Sequence, residues 1–356
     1  MKRRVRRSLL LLILLAGAAI CLTCSPGYVL RAGWQEAKIL SRRESIQKAI
    51  DDPATGAAAR RKLELVLQAR SFAQHRLGLN AGESFTTYSW VDKDTLLMVL
   101  SAAHADRFVP HTWWFPIVGR VPYKGFFDFD RAHQEAAELA RAGYDTYVRP
   151  SGAFSTLGWF NDPVLNTVLR YPDVSLANTV VHELLHNTIY LPGQAGFNES
   201  FANFVGDRGA IDFFCGRDGE TAETCRQAQA GWQDNLVYGA FLSDLVAQLE
   251  ALYGRTDLDR TAILSAKARL LADARARFGT DVRPRLRTGA YRNFEREPLN
   301  NAVLIGIRLY YQRLDLFEAV FQRYAGDLPA AIRAIAAAAR AAPDEPFRAV
   351  EALTAR

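Results

Sequence analysis

The stretch "NTVVHELLHNTIY" (residues 178–190) holds two of the chain's six histidines, His182 and His186, four residues apart, with Glu183 beside the first. On a helix, residues i and i+4 project from the same face, so both imidazoles can offer a nitrogen to one ion. Glu183 is rotated by about 100° from His182. Its carboxylate therefore lies beside such an ion, where it can take a proton from water. Two ligands and a base on one turn is the mechanical content of H-E-x-x-H. A catalytic zinc also needs a third protein ligand and an open position. Twelve residues lie between His186 and Glu199, which stands in "GQAGFNESF". Pro192, Gly193 and Gly196 fall in that gap and permit a tight reversal that returns Glu199 to the histidines. The plainer alternatives are two buried polar histidines and a helix-start carboxylate favoured by the macrodipole. His75, His104, His111 and His133 lie in unrelated contexts and read as structural or surface residues.

These side chains need a braced helix. Val180 and Leu184 fall opposite His182, with Val181 and Leu185 on the flanks, so the far side of the helix is expected to be core. Asp173 or Ser175 is the expected N-cap, and "NESFANFVGDRGAIDFFC" is expected to continue as a second helix. Upstream, residues 30–80 read as helical, with Leu63, Leu65, Val66, Ala69, Phe72 and Ala73 on one broad face. The period then changes. "SFTTYSWV", "TLLMVLSAA", "HTWWFPIVGRVPYKGFFDF" (with a turn near Gly119) and "DTYVRP" read as strands, and "RAHQEAAELARAGY" as a helix ending at Gly143. Residues 84–150 thus predict one small mixed sheet with one helix. Beyond the motif, a long antiparallel helical pair broken at Gly254 is expected, then "NNAVLIGIRLYYQRLDLFEAVFQRYAG" and an Ala-rich helix. The fold class is α+β, mostly helical, with the small sheet ahead of the H-E-x-x-H helix. No internal repeat or dividing linker is visible, so 24–356 is expected to be a single domain, 24–172 being helix plus sheet and 173–356 the helical part with the metal site.

The amino terminus carries a different message. "MKRRVRRS" holds five positive charges, and Leu9–Leu22 is an unbroken apolar run of 14 residues. A basic start and a short apolar core form an export signal, here 1–23. The run is shorter than the ~20 residues of a spanning helix, although an uncleaved anchor is the alternative. Without the five leader charges the net charge drops from +6 to 6 − 5 = +1, so the basic balance reflects targeting and no nucleic-acid partner is expected. Cys24 sits where a bacterial lipoprotein signal is cut and its cysteine lipidated, although Thr23 and Cys21 depart from the usual residues there. Cys215 and Cys225 flank a polar loop, and in an exported protein a disulfide is the default. "RARFGTDVRPRLRTGAYRNFER" is a local basic stretch that reads as a solvated helix end and loop.

Two further segments bear on a peptide substrate. An extended peptide is commonly held by a sheet edge, and "YDTYVRPSGAFSTLGWF" could supply one through Ser151, Gly152, Ala153 and Phe154; a plain connecting loop is the alternative. A developing oxyanion needs a donor, for which Tyr310 or Tyr311 is a candidate, with a core role as the alternative.

"HELLH" followed by "NESFA" resembles the gluzincin metallopeptidases, whose third zinc ligand is the glutamate of an Asn-Glu pair. The gap is shorter than in the best-known members. "RRKLELVLQARSFAQHRLGL", "WFPIVGRVPYKGFFD", "AFSTLGWFNDPVLNTVLR", "VVHELLH", "FNESFANFVG" and "NNAVLIG" together are similar to a family of bacterial proteins described as predicted aminopeptidases. That resemblance spans most of the chain after the leader. It implies a zincin-like domain, a Zn²⁺ cofactor on His182, His186 and Glu199, Glu183 as general base, and a peptide substrate. Gly119-Arg120 departs from the Gly-Cys of many members, which removes a second disulfide. No G-x-M-E-N motif is present, so the device that holds a substrate's amino terminus in better-known aminopeptidases is missing. An exported, lipid-anchored zinc peptidase is therefore expected; an endopeptidase of envelope proteins or cell-wall peptides and a non-catalytic metal-binding lipoprotein are the rivals.

Overall fold

The computed structural model describes residues 39–91, 95, 97–115, 119–151 and 163–355. Ser45, at the end of the two-residue strand β1 (Glu44–Ser45), accepts from the Lys48 amide and so starts α1 (Ile46–Asp51). α2 (Ala57–His75) buries Leu63, Leu65, Val66, Ala69 and Ala73, the face read from the sequence apart from the half-buried Phe72.

The strands do not form one sheet. β1, β2 (Thr87–Ser89) and β8 (Val164–Leu165) make a small mixed sheet in which β2 and β8 are parallel. β4 (Trp113–Phe115) and β5 (Gly119–Val121) form a separate hairpin. The principal sheet is antiparallel, in the order β6 (Tyr123–Phe126), β3 (Leu97–His104), β7 (Tyr144–Ser151). The sequence shows where strands lie; their partners are fixed by side chains far apart in the chain. Because side chains alternate along a strand, the principal sheet has two unlike faces. On one, Leu100 and Phe126 pack with Met98 and Val148 against Ala132 and Ala136 of α3 (Phe129–Arg141). On the other, Ser101 pairs with both Tyr123 and Tyr147, and Val99 with Arg149.

From residue 173 the chain is helical: α4 (Asp173–Thr188), α5 (Ala195–Asp218), α6 (Glu223–Tyr253), α7 (Arg260–Arg277), α8 (Asn301–Tyr311), α9 (Leu314–Arg323), α10 (Leu328–Ala341) and α11 (Pro346–Glu351). The class is mixed α+β. Pro172, not Asp173 or Ser175, occupies the N-cap of α4. Asp173 instead pairs with Arg61 and Lys62 of α2, each at 2.6 Å, and ties the two helices together. The segment 300–326 is two helices, split at Arg313, whose φ of 54° is left-handed. Cys215 and Cys225 are joined by a disulfide between the end of α5 and the start of α6.

α4 and α5 cross closely. A Cβ on Gly206 would lie 2.8 Å from Asn178 Oδ1 and 3.1 Å from the Asn178 carbonyl, and one on Gly209 would lie 2.9 Å from Val181 Cγ1. Val180, Val181, Leu184 and Leu185 are all buried behind the histidine face, where a Leu→Ala change costs roughly 2–5 kcal/mol. α8 bridges the two halves of the fold. At its start, Asn300 caps the helix through the Val303 amide and donates to the Thr146 carbonyl. The Asn301 amide donates to Asp145, and its side chain to the His104 carbonyl. Asp145 also pairs with the buried Lys267 of α7.

A polar network runs through the α4–α5–α6 junction. Asn178 and Asn235 both donate to Asp207, and Tyr291 donates to Asn235 and is hydrogen-bonded to the Tyr311 hydroxyl. Burial pushes the Asp207 carboxyl up to about 7, against the lowering effect of the two amides and Arg208. A carboxyl raised in the folded state favours folding most below its ordinary value of 3.8. That contribution is lost as the pH rises to about 7. Denaturant unfolding at pH 5 and pH 8 should therefore show the wild type losing more stability between the two than Asp207→Asn, which cannot titrate. Parallel losses in the two proteins would contradict the assignment.

Candidate metal centre

The loop after α4 is a clamp built by one residue. Asn198 accepts from the Leu191 amide and returns a bond to the Leu191 carbonyl, at 3.0 and 2.8 Å. This fixes the reversal between α4 and α5 and delivers Glu199 opposite the histidines. The end of α4 is held as firmly. Thr188 accepts from the Asn80 amide, Asn187 donates to Ser84, and Arg340 donates to the Thr188 carbonyl.

The result is a triangle of donor atoms. His182 Nε2 and His186 Nε2 are 3.3 Å apart, and Glu199 Oε2 lies 3.3 Å from the first and 3.8 Å from the second. Donors on a tetrahedral zinc at about 2.0–2.1 Å stand roughly 3.3 Å apart, so the spacing fits such an ion. His182, His186 and Glu199 are the one group of three or more His, Cys, Asp or Glu side chains among the described residues that could hold a metal. Their side chains are largely buried, with 12%, 18% and 25% of their surface exposed. Glu183, on the adjacent helical step, is half-buried and close enough for its charge to act on His186.

The electrostatics without an ion are those of a self-paired site. Burial works to raise the Glu199 carboxyl, but hydrogen bonds and charge from both histidines outweigh it and hold the group at about 2. Burial works to lower His186; Glu199 and Glu183 outweigh it and leave the imidazole raised. His186 Nδ1 is buried with no hydrogen-bond partner among the described residues, whereas ligating histidines usually donate that proton to an outer partner. Its ring is met edge-on by Tyr190, with centroids 6.3 Å apart.

Of the two candidate tyrosines, the structure brings only Tyr310 to the site. Its ring stacks on His182 at 6.2 Å and 30°. Burial raises its hydroxyl well above the ordinary value, and the Glu199 charge adds to this, so it remains a proton donor at neutral pH. Tyr311 instead bonds to Tyr291 inside the core. Tyr310 is placed by α5: Asn203 donates to the Tyr310 carbonyl, Ser200 donates to the Leu309 carbonyl, and the Gln312 amide donates to Ser200. Sequence reasoning missed these roles of Asn198, Ser200 and Asn203. The available signal was polar residues at buried positions of an otherwise apolar helix.

It also missed Tyr123 and Tyr190, on which the Glu199 charge acts, and Arg149, whose charge acts on Tyr123 and Tyr310. The Tyr123 hydroxyl is raised by desolvation, then by Glu199 and Tyr190, and lowered by Arg149. Tyr123 and Tyr190 remain 42% and 47% exposed, so they stand at the mouth of the site. Ser151 ends β7 opposite Leu97. Gly152, Ala153 and Phe154 lie outside the described residues, as do Cys24 and the leader 1–23.

A proton and a metal ion would compete for this triangle. The Glu199 contribution to stability is present above its ordinary 4.5 and lost as the pH falls toward about 2. That of His186 is present below its ordinary 6.5 and lost as the pH rises through its raised value. The self-paired state is thus complete between about pH 4.5 and 6.5, where an ion must displace the His186 proton. Added zinc should raise the melting temperature little at pH 5.5 and much more at pH 8, and not at all in His186→Ala. An equal shift at both pH values would refute the coupling.

Comparison with known proteins bears on the whole chain. No curated protein and no solved structure shows significant similarity to it. A family described as "Putative aminopeptidase" matches residues 27–349, which takes in α4, α5, α8 and the principal sheet, and the chain belongs to that family.

Proposed function

We propose that the chain is a zinc-dependent peptidase of the zincin type that removes residues from the amino end of peptides in the bacterial cell envelope. The observation that carries the reading is the triangle of His182, His186 and Glu199 with a carboxylate, Glu183, on the next helical step. A structural site needs no such base and prefers a closed fourth ligand. Membership of an aminopeptidase family supports peptide hydrolysis.

Held by the three side chains, zinc would supply Lewis acidity toward the scissile carbonyl and toward water. The chain's own residues do the rest. Glu183 takes the proton of the attacking water and hands it to the leaving amine. Tyr310, kept protonated by burial and by Glu199, offers an O–H to the developing oxyanion. Asn198, Ser200 and Asn203 hold Glu199 and Tyr310 in one frame. Tyr123 and Tyr190, exposed at the mouth, offer flat apolar surface to the peptide.

Glu183→Gln keeps the shape of the side chain and removes its basicity. It should fold, bind about one zinc per chain and lose roughly 10²–10⁴-fold in peptidase activity. Glu199→Gln should instead lose the metal. The paired measurement is zinc content and hydrolysis of a peptide library in free-amine and acetylated forms. Intact activity in Glu183→Gln would overturn the mechanism, preferential cleavage of blocked peptides would favour an endopeptidase, and a zinc-loaded wild type inert on every peptide would favour the non-catalytic lipoprotein.

The envelope setting rests on the basic leader, the apolar run and Cys24. No helix among the described residues is long and apolar enough to cross a membrane; lipidated Cys24 would attach the chain, with the uncleaved apolar run Leu9–Leu22 as the alternative. Radioactive fatty acid should label the wild type and not Cys24→Ala; an unlabelled wild type would remove the anchor.

A further inference from the structure

The outward face of the principal sheet and α8 enclose a cavity of about 480 Å³, an ordinary size for a small-molecule site. It opens beside the metal centre, since Tyr123 and Tyr310 belong to both. Gly306 of α8 lies on its wall, and no atom stands within 4 Å of the place a Cβ would take there. The charges in the cavity are ordered. Arg149, two residues beyond Tyr147 on the same face of β7, makes no ion pair or hydrogen bond among the described residues. Its charge acts on Tyr123, Tyr147 and Tyr310. Glu297, the one carboxylate among the lining residues described, acts instead on Tyr147 and Tyr238. Arg149 therefore stands toward the metal side, where the Glu199 and Glu183 charges also reach Tyr123 and Tyr310, Glu297 stands toward Tyr238, and a second arginine, Arg292, completes the charged lining.

We infer that this cavity is a subsite for a carboxylate of the substrate and that Arg149 is the residue that reads it. The inference rests on the peptidase reading for the identity of the ligand as a peptide. An amine in the cavity would be repelled by the Arg149 guanidinium, whereas an amine at the triad itself would have the Glu183 and Glu199 carboxylates beside it. A carboxylate in the cavity would be attracted by that guanidinium, whose planar fork can hold it through two parallel hydrogen bonds. Arg149 is exposed, so a ligand can reach it, and lacking an internal partner it needs none broken first. The carboxylate could be the peptide's own carboxy terminus, which would make short peptides the preferred substrates, or a Glu or Asp side chain.

The test uses four peptides that share one scissile bond: with a glutamate or a glutamine near that bond, each with a free or an amidated carboxy terminus. Binding is measured by calorimetry on the zinc-loaded Glu183→Gln protein, alone and combined with Arg149→Ala or Arg149→Lys. Hydrolysis is measured in the corresponding proteins with Glu183 intact. Removing the recognised carboxylate should weaken binding by about ten- to a hundredfold. That discrimination should vanish in Arg149→Ala and persist in part in Arg149→Lys, with melting temperature and zinc content unchanged. The amidated and glutamine peptides tell the two sources apart. Equal binding of all four peptides, or a preference that survives Arg149→Ala, would overturn the inference. If binding discriminates through Arg149 but the zinc-loaded wild type cleaves none of the four, the carboxylate site stands and the peptidase reading falls.

Discussion

Where α4 and α5 cross, Gly206 lies against the backbone of Asn178, and Gly209 against Val181. Two helices can come this close only where one of them has no side chain. Glu199 sits two helical turns before that crossing and His182 one turn after Asn178, so the separation of the helix axes sets the separation of the ligand atoms. A wider crossing would open the triangle beyond the 3.3–3.8 Å it now spans. The apolar packing of Val180, Leu184, Phe201 and Phe204 keeps the distance short, and the glycines make it attainable.

Along α5 the buried polar residues each serve a different neighbour. Asn198 holds the preceding loop, Ser200 and Asn203 hold the end of α8, and Asp207 joins α4 to α6. Buried polar groups destabilise a fold unless bonded, and each of these is bonded to a segment that contributes to the site. α8 is thus fastened at both ends, to the sheet through Asn300 and Asn301 and to α5 through Ser200 and Asn203. The cavity is the space left beneath that span.

The sequence made the centre of the molecule legible and its periphery less so. His182, Glu183, His186 and Glu199 stand out because their types and spacing obey helical geometry, and the apolar flank of α4 could be read for the same reason. Helix positions were visible wherever a period of 3.6 or a break such as Gly254 marks them. Strand pairing was not, because Tyr88 of β2 lies beside Val164 of β8, a partner far along the chain that nothing local records. Asp173 reads as a cap because caps are its common local use; its pairing with Arg61 and Lys62 depends on a helix well upstream. Arg149 and Tyr123 were unremarkable for a similar reason. A cation on one strand and an aromatic on another acquire meaning only when β3 brings β6 and β7 to its two sides.

The antiparallel pairing of β3 with β7 has a consequence for how the protein can change. Arg149 and Tyr147 face the cavity because they lie across from Val99 and Ser101, while Val148 between them faces α3. The turn at Gly143, with its left-handed φ of 86°, sets where β7 begins. A slip of the strand by one step would exchange its faces. The guanidinium would then point into the apolar layer against Ala132 and Ala136, and a valine would take its place in the cavity. The cost of burying that charge pins the register, so point substitutions can vary the cavity one side chain at a time while the pairing that presents them stays fixed.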